Sequence, residues 1–142
     1  MASININYLF PLSLGENGYF QTNKTVEAAT KQNIKSVLLT RKGERVCICD
    51  FGTSILDMLF DPKTPELKAK IQVEGINAIH RWVPNVKINN FYVLFNEDVG
   101  VGSPLYGKII LDEYSTYVVV SYDLMIRDGI TITDSIGEKI GG

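Results

Sequence analysis

The fold is decided by residues 33–60, which read NIKSVLLTRKGERVCICDFGTSILDMLF. This stretch joins the end of an amphipathic helix to a glycine stop, a short extended segment, a second glycine turn and a compact apolar helix. Arg41 and Lys42 fall where the dipole of a helix C-terminus favours cations, and Gly43 can adopt the left-handed conformation that often follows a helix. The pattern therefore predicts a helix that ends just before this glycine.

The helix before the stop is predicted to begin at about Asn23, its N-cap, and to run to Thr40. Apolar residues recur in this segment at the three-and-four spacing of a buried helical stripe. They are Val26, Ala29, Ile34, Val37 and Leu38.

Within residues 44–51, Val46, Ile48 and Asp50 alternate with Cys47 and Cys49, which predicts a short extended segment. Its two cysteines, Cys47 and Cys49, would then point to one face and could in principle hold a metal ion. Two sulfurs and the single histidine, His80, give three ligands at best, so we interpret the cysteines as packed apolar residues. No metal site and no cofactor is predicted.

Two further helices are predicted before the sheet. Thr53 or Ser54 would cap the second, and Thr64 would cap the third, with Pro65 at its first position and Val83-Pro84 closing it. The apolar face of the second comprises Ile55, Leu56, Leu59 and Phe60, and that of the third comprises Leu67, Ile71, Gly75, Ala78, Ile79 and Trp82. The small residues Gly75 and Ala78 would let a neighbouring element approach the third helix closely.

Strand patterns follow Asn85. The apolar parity changes across Asn89-Asn90, which predicts a bulge, and a second run holds Leu105, Ile109 and Leu111. The third run places Val118, Val120, Tyr122, Leu124 and Ile126 on one face and Tyr117, Val119, Ser121, Asp123 and Met125 on the other. Asp128-Gly129 predicts a hairpin into residues 130–132. The predicted fold is α+β, with about three helices packed against a mainly antiparallel sheet of three to four C-terminal strands.

Length and composition are those of one globular domain spanning residues 1–142, with an irregular N-terminal arm at about 1–22 and a loose tail at about 134–142. A net charge of −2 gives no basic field, so nucleic acid is a poor partner. The first ten residues lack the features of a signal peptide, and no apolar run is long enough to span a bilayer. We expect a soluble protein made in a reducing cytoplasm, with no membrane partner.

The residues give no catalytic constellation. His80 is more readily a structural or surface residue than a general base, and no serine elbow accompanies it. Asp50, Asp57, Asp61 and Glu66 lie in one region, but nothing in their spacing would separate their pKa values as a glycosidase requires. We therefore expect no enzyme activity.

The last strands instead indicate a surface for partners. Tyr117, Val119 and Met125 make the second face of the third run apolar as well, so another protein could cover that face or add a strand to an edge. The alternative is that the N-terminal arm provides the cover.

Several motifs resemble the baseplate wedge protein of contractile phage tails, also called the sheath initiator, whose wider family carries a lysozyme-like label and includes subunits of type VI secretion and other injection systems. The run LLTRKGER at 38–45, followed by Asp50-Phe51-Gly52, is the most specific part of the resemblance. The other matching positions are Phe10-Pro11, Asn33-Ile34, Leu56, Leu59-Phe60, Ala78-Ile79-His80-Arg81-Trp82 and Val120-x-Tyr122-x-Leu124.

The resemblance implies a non-enzymatic structural subunit of a virion tail baseplate, or of an equivalent injection particle, assembled in the bacterial cytoplasm. Baseplate wedge proteins and the tail sheath protein would be its partners, with multiple copies in a symmetric assembly. It would start sheath polymerisation by strand addition along 106–126 and dock near the exit of the third helix. The expected partner-binding residues are Val83, Pro84, Asn85, Val86, Tyr117, Val119, Ser121, Asp123 and Met125.

One departure from the family pattern concerns that docking site. The family usually has Glu-Pro-Arg where this chain has Val83-Pro84-Asn85, so the proline turn is kept and both charges are lost. Two other functions remain as alternatives, namely a lysozyme-like cell-wall hydrolase and an anti-adaptor-like protein that binds a cytosolic regulator.

Overall fold

The computed structural model describes residues 6–15, 18–99, 101, 115–126 and 129–141. A short antiparallel pair, β1 (Asn7–Tyr8) and β2 (Thr22–Asn23), precedes the helices α1 (Val26–Leu39), α2 (Ile55–Met58) and α3 (Pro65–Trp82). The main sheet follows, with β3 (Val86–Leu94), β4 (Thr116–Met125) and β5 (Thr131–Ile140) antiparallel in the order β3–β4–β5. The predicted α+β fold is confirmed. The run at 105, 109 and 111 lies outside the described residues.

The start of α1 differs from the prediction by two residues. Thr25 is the N-cap, because its hydroxyl accepts a hydrogen bond from the N–H of Ala28 at 3.3 Å. Asn23, the predicted cap, is buried in β2, where its amide donates to the side chain of Asn7 at 2.7 Å. The predicted stripe is buried from Ala29 onward, whereas Val26 in the first turn is exposed.

The helix also ends earlier than predicted. Its last residue is Leu39, so Arg41 and Lys42 follow the helix instead of occupying its last turn. The polypeptide then leaves through a loop at 41–54, which we call the hinge loop.

The predicted extended segment at 44–51 is wrong, because the hinge loop is a series of turns. The N–H of Gly43 donates to the carbonyl of Cys49 at 2.7 Å, which closes the loop on itself, and Cys47 has a positive φ of 68°. Both cysteines are exposed, so the prediction that they pack in the interior is also wrong. Val46 and Ile48 are spaced as apolar residues are in a strand, but in the observed turns the side chain of Val46 lies in solvent.

Gly52 returns the hinge loop to the end of α1. Its φ is +101°, and an added Cβ would lie 2.8 Å from the carbonyl carbon of Thr40. This close approach lets the N–H of Thr53 donate to the carbonyl oxygen of Thr40 at 2.9 Å. The short helix α2 follows, with Ile55 and Leu59 buried but Phe60 in solvent, contrary to the prediction.

Helix α3 has the predicted cap and buries the predicted face from Leu67 to Ile79, whereas Trp82 at its end is only half-buried. The hydroxyl of Thr64 accepts from the N–H of Leu67 at 3.2 Å, and Pro65 occupies the first turn, where its missing N–H costs no hydrogen bond. Gly75 lies against the ring of Phe91 on β3, so closely that an added Cβ would be 2.7 Å from the ring carbon Cε2. The missing side chain at Gly75 therefore sets how closely α3 approaches the sheet.

The sheet contains the predicted bulge, with the register of β3 on β4 shifting between Ile88 and Asn90. The predicted loose tail is wrong, because residues 131–140 form the whole of β5 and bury Ile136 and Ile140. Ion pairs tie this strand to α1, where Lys31 Nζ lies 3.0 Å from a carboxylate oxygen of Asp134 and Lys35 Nζ lies 3.2 Å from one of Glu138. The core thus lies between the helices and one face of the sheet.

Glu74 on α3 anchors the hinge loop. Its carboxylate pairs with Lys42 and accepts from the N–H of Ser54 at 3.2 Å. The hydrogen bond from Lys42 is the largest cause that lowers the pKa of Glu74 from its usual 4.5.

Replacing Glu74 by glutamine, which keeps an acceptor for Ser54, is expected to reduce the free energy of unfolding at pH 7 by about 1 kcal/mol. Because the folded pKa is depressed, this contribution is present above pH 4.5 and is lost as the pH falls through the folded value. Urea unfolding at several pH values should show the two proteins converging in acid. Glu97→Gln, at an exposed position, is the control, and an equal difference at every pH would contradict the assignment.

Candidate functional site

The four residues of the predicted docking site at the exit of α3 differ in burial. Val83 and Val86 are buried, so the prediction that they contact a partner is wrong. Both are apolar residues at the junction of a helix and a strand, and they pack into the core. Pro84 and Asn85 are exposed between them, and the carbonyl of Asn85 accepts from the N–H of Met125 at 3.0 Å.

The five predicted residues of β4 lie together on the sheet face opposite the helices, which we call the open face. Tyr117, Val119, Ser121 and Asp123 are half-buried there, and Met125 is exposed. The buried residues of β4 alternate with them and pack into the core. The period-two pattern in the sequence thus predicted correctly which side chains share this face.

The open face has an apolar part and a polar part. In the apolar part, Val119 lies between Tyr92 on β3 and Gly137 on β5. The ring of Tyr117 packs against Gly137, and a Cβ added to Gly137 would be 2.8 Å from Tyr117 Cζ. Farther along the strands, the hydroxyl of Thr133 donates to the carboxylate of Asp123 at 2.7 Å and holds the pKa of Asp123 below its usual value.

The described part of the N-terminal arm lies on the helix side of the molecule. The amide of Asn7 donates to the side chain of Asn33 at 3.1 Å and to the carbonyl of Ala29 at 3.5 Å, both on α1. Since α1 packs on the core face of the sheet, these contacts do not provide cover for the open face.

The sheet order bears directly on strand addition. β4 pairs with β3 on one side and with β5 on the other, so it has no free edge, and the prediction of strand addition along 106–126 is wrong for residues 116–125. Residues 106–114 lie outside the described residues. Within the described ranges, β3 and β5 each pair on one side only.

Two grooves of about 440 Å³ each open on the surface. One runs between α3 and β3 and contains His80, Lys68 and Tyr92. The other, which we call the arm groove, lies between the arm, α1, the hinge loop and the end of α3. Among the described residues, no aspartate or glutamate lines either groove.

Two of the four carboxylates considered in the sequence form ion pairs outside the grooves. Asp50 pairs with Arg81 at 3.3 Å, and Asp57 pairs with Arg41. A search of the described ranges finds no group of three or more His, Cys, Asp and Glu side chains suited to a metal ion. It also finds no helix long and apolar enough to cross a bilayer.

Sequence reasoning missed the arm groove altogether. Tyr8, Phe10 and Leu12 of the arm are each more than half exposed beside it, at 63%, 60% and 57%. Arg45 and Phe51 come from the hinge loop. The one available signal was the density of aromatic and leucine residues in a segment interpreted as irregular, because helical or strand periodicity could not place those residues together.

A family model described as baseplate wedge protein gp25 matches residues 24–104, which include the whole of the stretch 33–60. Baseplate protein W of Escherichia phage P2 is 34% identical over 59 residues, covering 42% of this chain and 51% of that protein. The match therefore spans about half the length of that relative.

The fold is shared with solved structures. A putative tail lysozyme from Geobacter sulfurreducens has a TM-score of 0.60 and 20% identity, with 86% of this chain and 97% of that one covered. A chain of the anti-feeding prophage baseplate has a TM-score of 0.64 and 20% identity, with 86% and 87% covered. A chain of the type VI secretion system baseplate complex has a TM-score of 0.53 and 14% identity, with 82% and 95% covered.

Proposed function

The chain belongs to the baseplate wedge protein gp25 family, and from this premise we propose that it is a non-enzymatic structural subunit of a contractile-tail baseplate. It docks on the wedge core and starts polymerisation of the sheath by accepting a strand at the edge of its main sheet. It is present in multiple copies in the baseplate of a phage tail or an injection particle, which assembles in the bacterial cytoplasm. Wedge proteins and the sheath protein are its partners.

The observation that carries this proposal is the edge formed by β5. β5 is ten residues long and pairs with β4 without a break in register, whereas β3 carries a bulge, a feature that blunts an edge. A long regular edge presents a row of backbone groups that an incoming strand can bind.

The backbone directions along this edge follow from the ladder. Ile126 donates its N–H toward β5, to Ile130, and Met125 donates its N–H the other way, to Asn85. Because directions alternate along a strand, the even-numbered residues of β5 bond to β4 and the odd-numbered ones, including Thr133 and Gly137, point their N–H groups outward. The outward N–H of Ser135 already donates to the side chain of Asp134 at 2.7 Å, so the proposed hydrogen-bond donors for a sheath strand are the N–H groups of Thr133 and Gly137.

The open face beside this edge is the second contact. An added strand extends the sheet beyond β5, so its side chains on this face would lie next to those of β5, and the partner would contact Val119 and Tyr117, one strand farther in, by covering the face. The exposed pair Pro84 and Asn85 is the remaining part of the predicted docking site for the wedge core.

Replacing Val119 by glutamate is expected to leave the fold intact, because this side chain is half-buried on the open face. The variant should reduce the number of sheathed tails at least about tenfold, because it places a charge in the contact between the open face and the partner. Electron microscopy of particles from a strain complemented with the variant gives the count. Val46→Glu, at a position 86% exposed in the hinge loop, is the control. Normal sheath in the Val119→Glu strain would refute a role for the open face.

The hydrolase alternative is favoured only by the name of one structural relative, the putative tail lysozyme. Retaining and inverting glycosidases need two carboxylates across a substrate cleft, and the described lining of the two grooves contains none. Purified protein is therefore expected to leave peptidoglycan intact. The anti-adaptor alternative would be favoured by the absence of sheath, tube and wedge genes from the gene neighbourhood.

A further inference from the structure

We propose that the arm groove is the docking site for a segment of another baseplate wedge protein, and that this segment carries a large apolar side chain close to an aspartate or glutamate. The inference rests on the proposed baseplate function and adds the surface and the chemistry of the contact. The groove is lined, among other residues, by Asn7, Phe10, Leu12, Arg45, Phe51 and Trp82.

The inner part of the groove is an aromatic corner. The rings of Phe51 and Trp82 meet edge to face, with centroids 5.2 Å apart and an interplanar angle of 62°. Both rings are only half-buried, and the buried side chains of Val37 and Val83 lie behind them. Such a corner accepts an aromatic or leucine side chain, the usual anchor of a protein interface.

The rim supplies the charge. Arg45 is exposed, with its guanidinium carbon 4.5 Å from the centroid of the Phe51 ring. Among the described residues no carboxylate lies within 4.0 Å of it, and it is the single charged residue that lines the groove. A guanidinium that lies over an aromatic ring keeps its planar set of N–H donors, which can bind a carboxylate through two parallel hydrogen bonds.

The neighbouring carboxylates of the chain already have other partners. Asp50 pairs with Arg81 at 3.3 Å, and Glu44 accepts from the backbone N–H of Arg41 at 3.1 Å. Within the part of the chain that the structure describes, Arg45 is thus a cation without a counter-charge beside an apolar corner, and the complementary ligand is an apolar side chain followed by an acid.

Photo-crosslinking in assembled baseplates tests the location. A benzophenone amino acid is placed at Leu12 in the groove or at Val73, which is equally exposed at 58% on α3 and does not line the groove. We expect the Leu12 position to crosslink to a wedge-protein segment that contains an apolar residue within about one helical turn of an acid. Crosslinks to sheath, to a second copy of this chain or to nothing would overturn the inference while leaving baseplate membership intact. Absence of the chain from purified baseplates would instead overturn the proposed function and the inference with it.

A peptide with the crosslinked sequence then tests the charge, using fluorescence anisotropy with the purified protein. Arg45→Glu is expected to weaken binding at least tenfold, as for an interface hot spot. Lys70→Glu, an equal charge change at an exposed site outside the groove, should change affinity by less than about twofold. A peptide with its acid replaced by lysine should regain affinity for Arg45→Glu. Equal binding by wild type and Arg45→Glu, with unchanged melting curves, would overturn the role of Arg45, and so would failure of the reversed peptide.

Discussion

Replacing Gly75 by alanine is expected to lower the free energy of unfolding by about 1 to 3 kcal/mol, even though alanine is the better helix former. The added Cβ would lie 2.7 Å from Phe91 Cε2, well inside van der Waals contact. The Phe91 ring is buried in the core at 4% exposure, so it can move aside only by displacing its neighbours. Overpacking therefore outweighs the gain in helix propensity, which is about 1 kcal/mol.

A double-mutant cycle with Phe91→Leu separates these two effects. The smaller leucine removes the ring, so Gly75→Ala in that background is expected to be neutral or to stabilise by up to about 1 kcal/mol. Ala69→Gly, at an exposed site of α3, measures the helix propensity alone and should cost about the same amount. Urea unfolding of the four proteins of the cycle gives their free energies of unfolding. If Gly75→Ala stabilised the wild-type background, the contact between Gly75 and the Phe91 ring would be looser than the structure shows.

The second large effect concerns the proposed edge. Replacing Thr133 by proline is expected to reduce the number of sheathed tails at least about tenfold, because the ring removes an outward N–H and stands in the path of an incoming strand. The chain itself should still fold, since this N–H does not bond to β4 and proline is tolerated on edge strands.

Thr133→Val is the matched control. Both variants lose the hydrogen bond to Asp123, but valine keeps the backbone N–H and suits a strand. Normal sheath with valine and none with proline is the expected result from electron microscopy of complemented strains. Equal sheath formation by the two variants would exclude β5 as the edge that accepts the sheath.

The parts of the fold that depend on local chemistry were predictable from sequence. The cap at Thr64, the buried stripe of α3, the parity change at Asn89-Asn90 and the two faces of β4 each follow from a few neighbouring residues. The hinge loop was not predictable in this way, since its turns depend on Gly43 closing on Cys49 and on Gly52 approaching Thr40. The hairpin into residues 130–132 was predicted, but the rest of β5 was missed because its polar residues resemble a loose tail until they pair with β4.

The candidate sites likewise differ in whether local sequence or the packing of the whole fold determines them. Alternation alone identified the open face, but burial of Val83 and Val86 depends on how α3 and β3 pack, which no local pattern reports. The arm groove is assembled from segments as far apart in the chain as Asn7 and Trp82. That β5 pairs on one side only among the described strands likewise follows from strand order, a property of the whole sheet.

The most direct test of the central claim is a cryo-electron microscopy reconstruction of the assembled particle of the contractile system that encodes this chain. We expect the chain to lie in the baseplate below the first sheath ring, with a sheath strand hydrogen-bonded to the outward N–H groups of Thr133 and Gly137. A baseplate in which the sheath begins on another subunit, with β5 unpaired on its outer side, would contradict it.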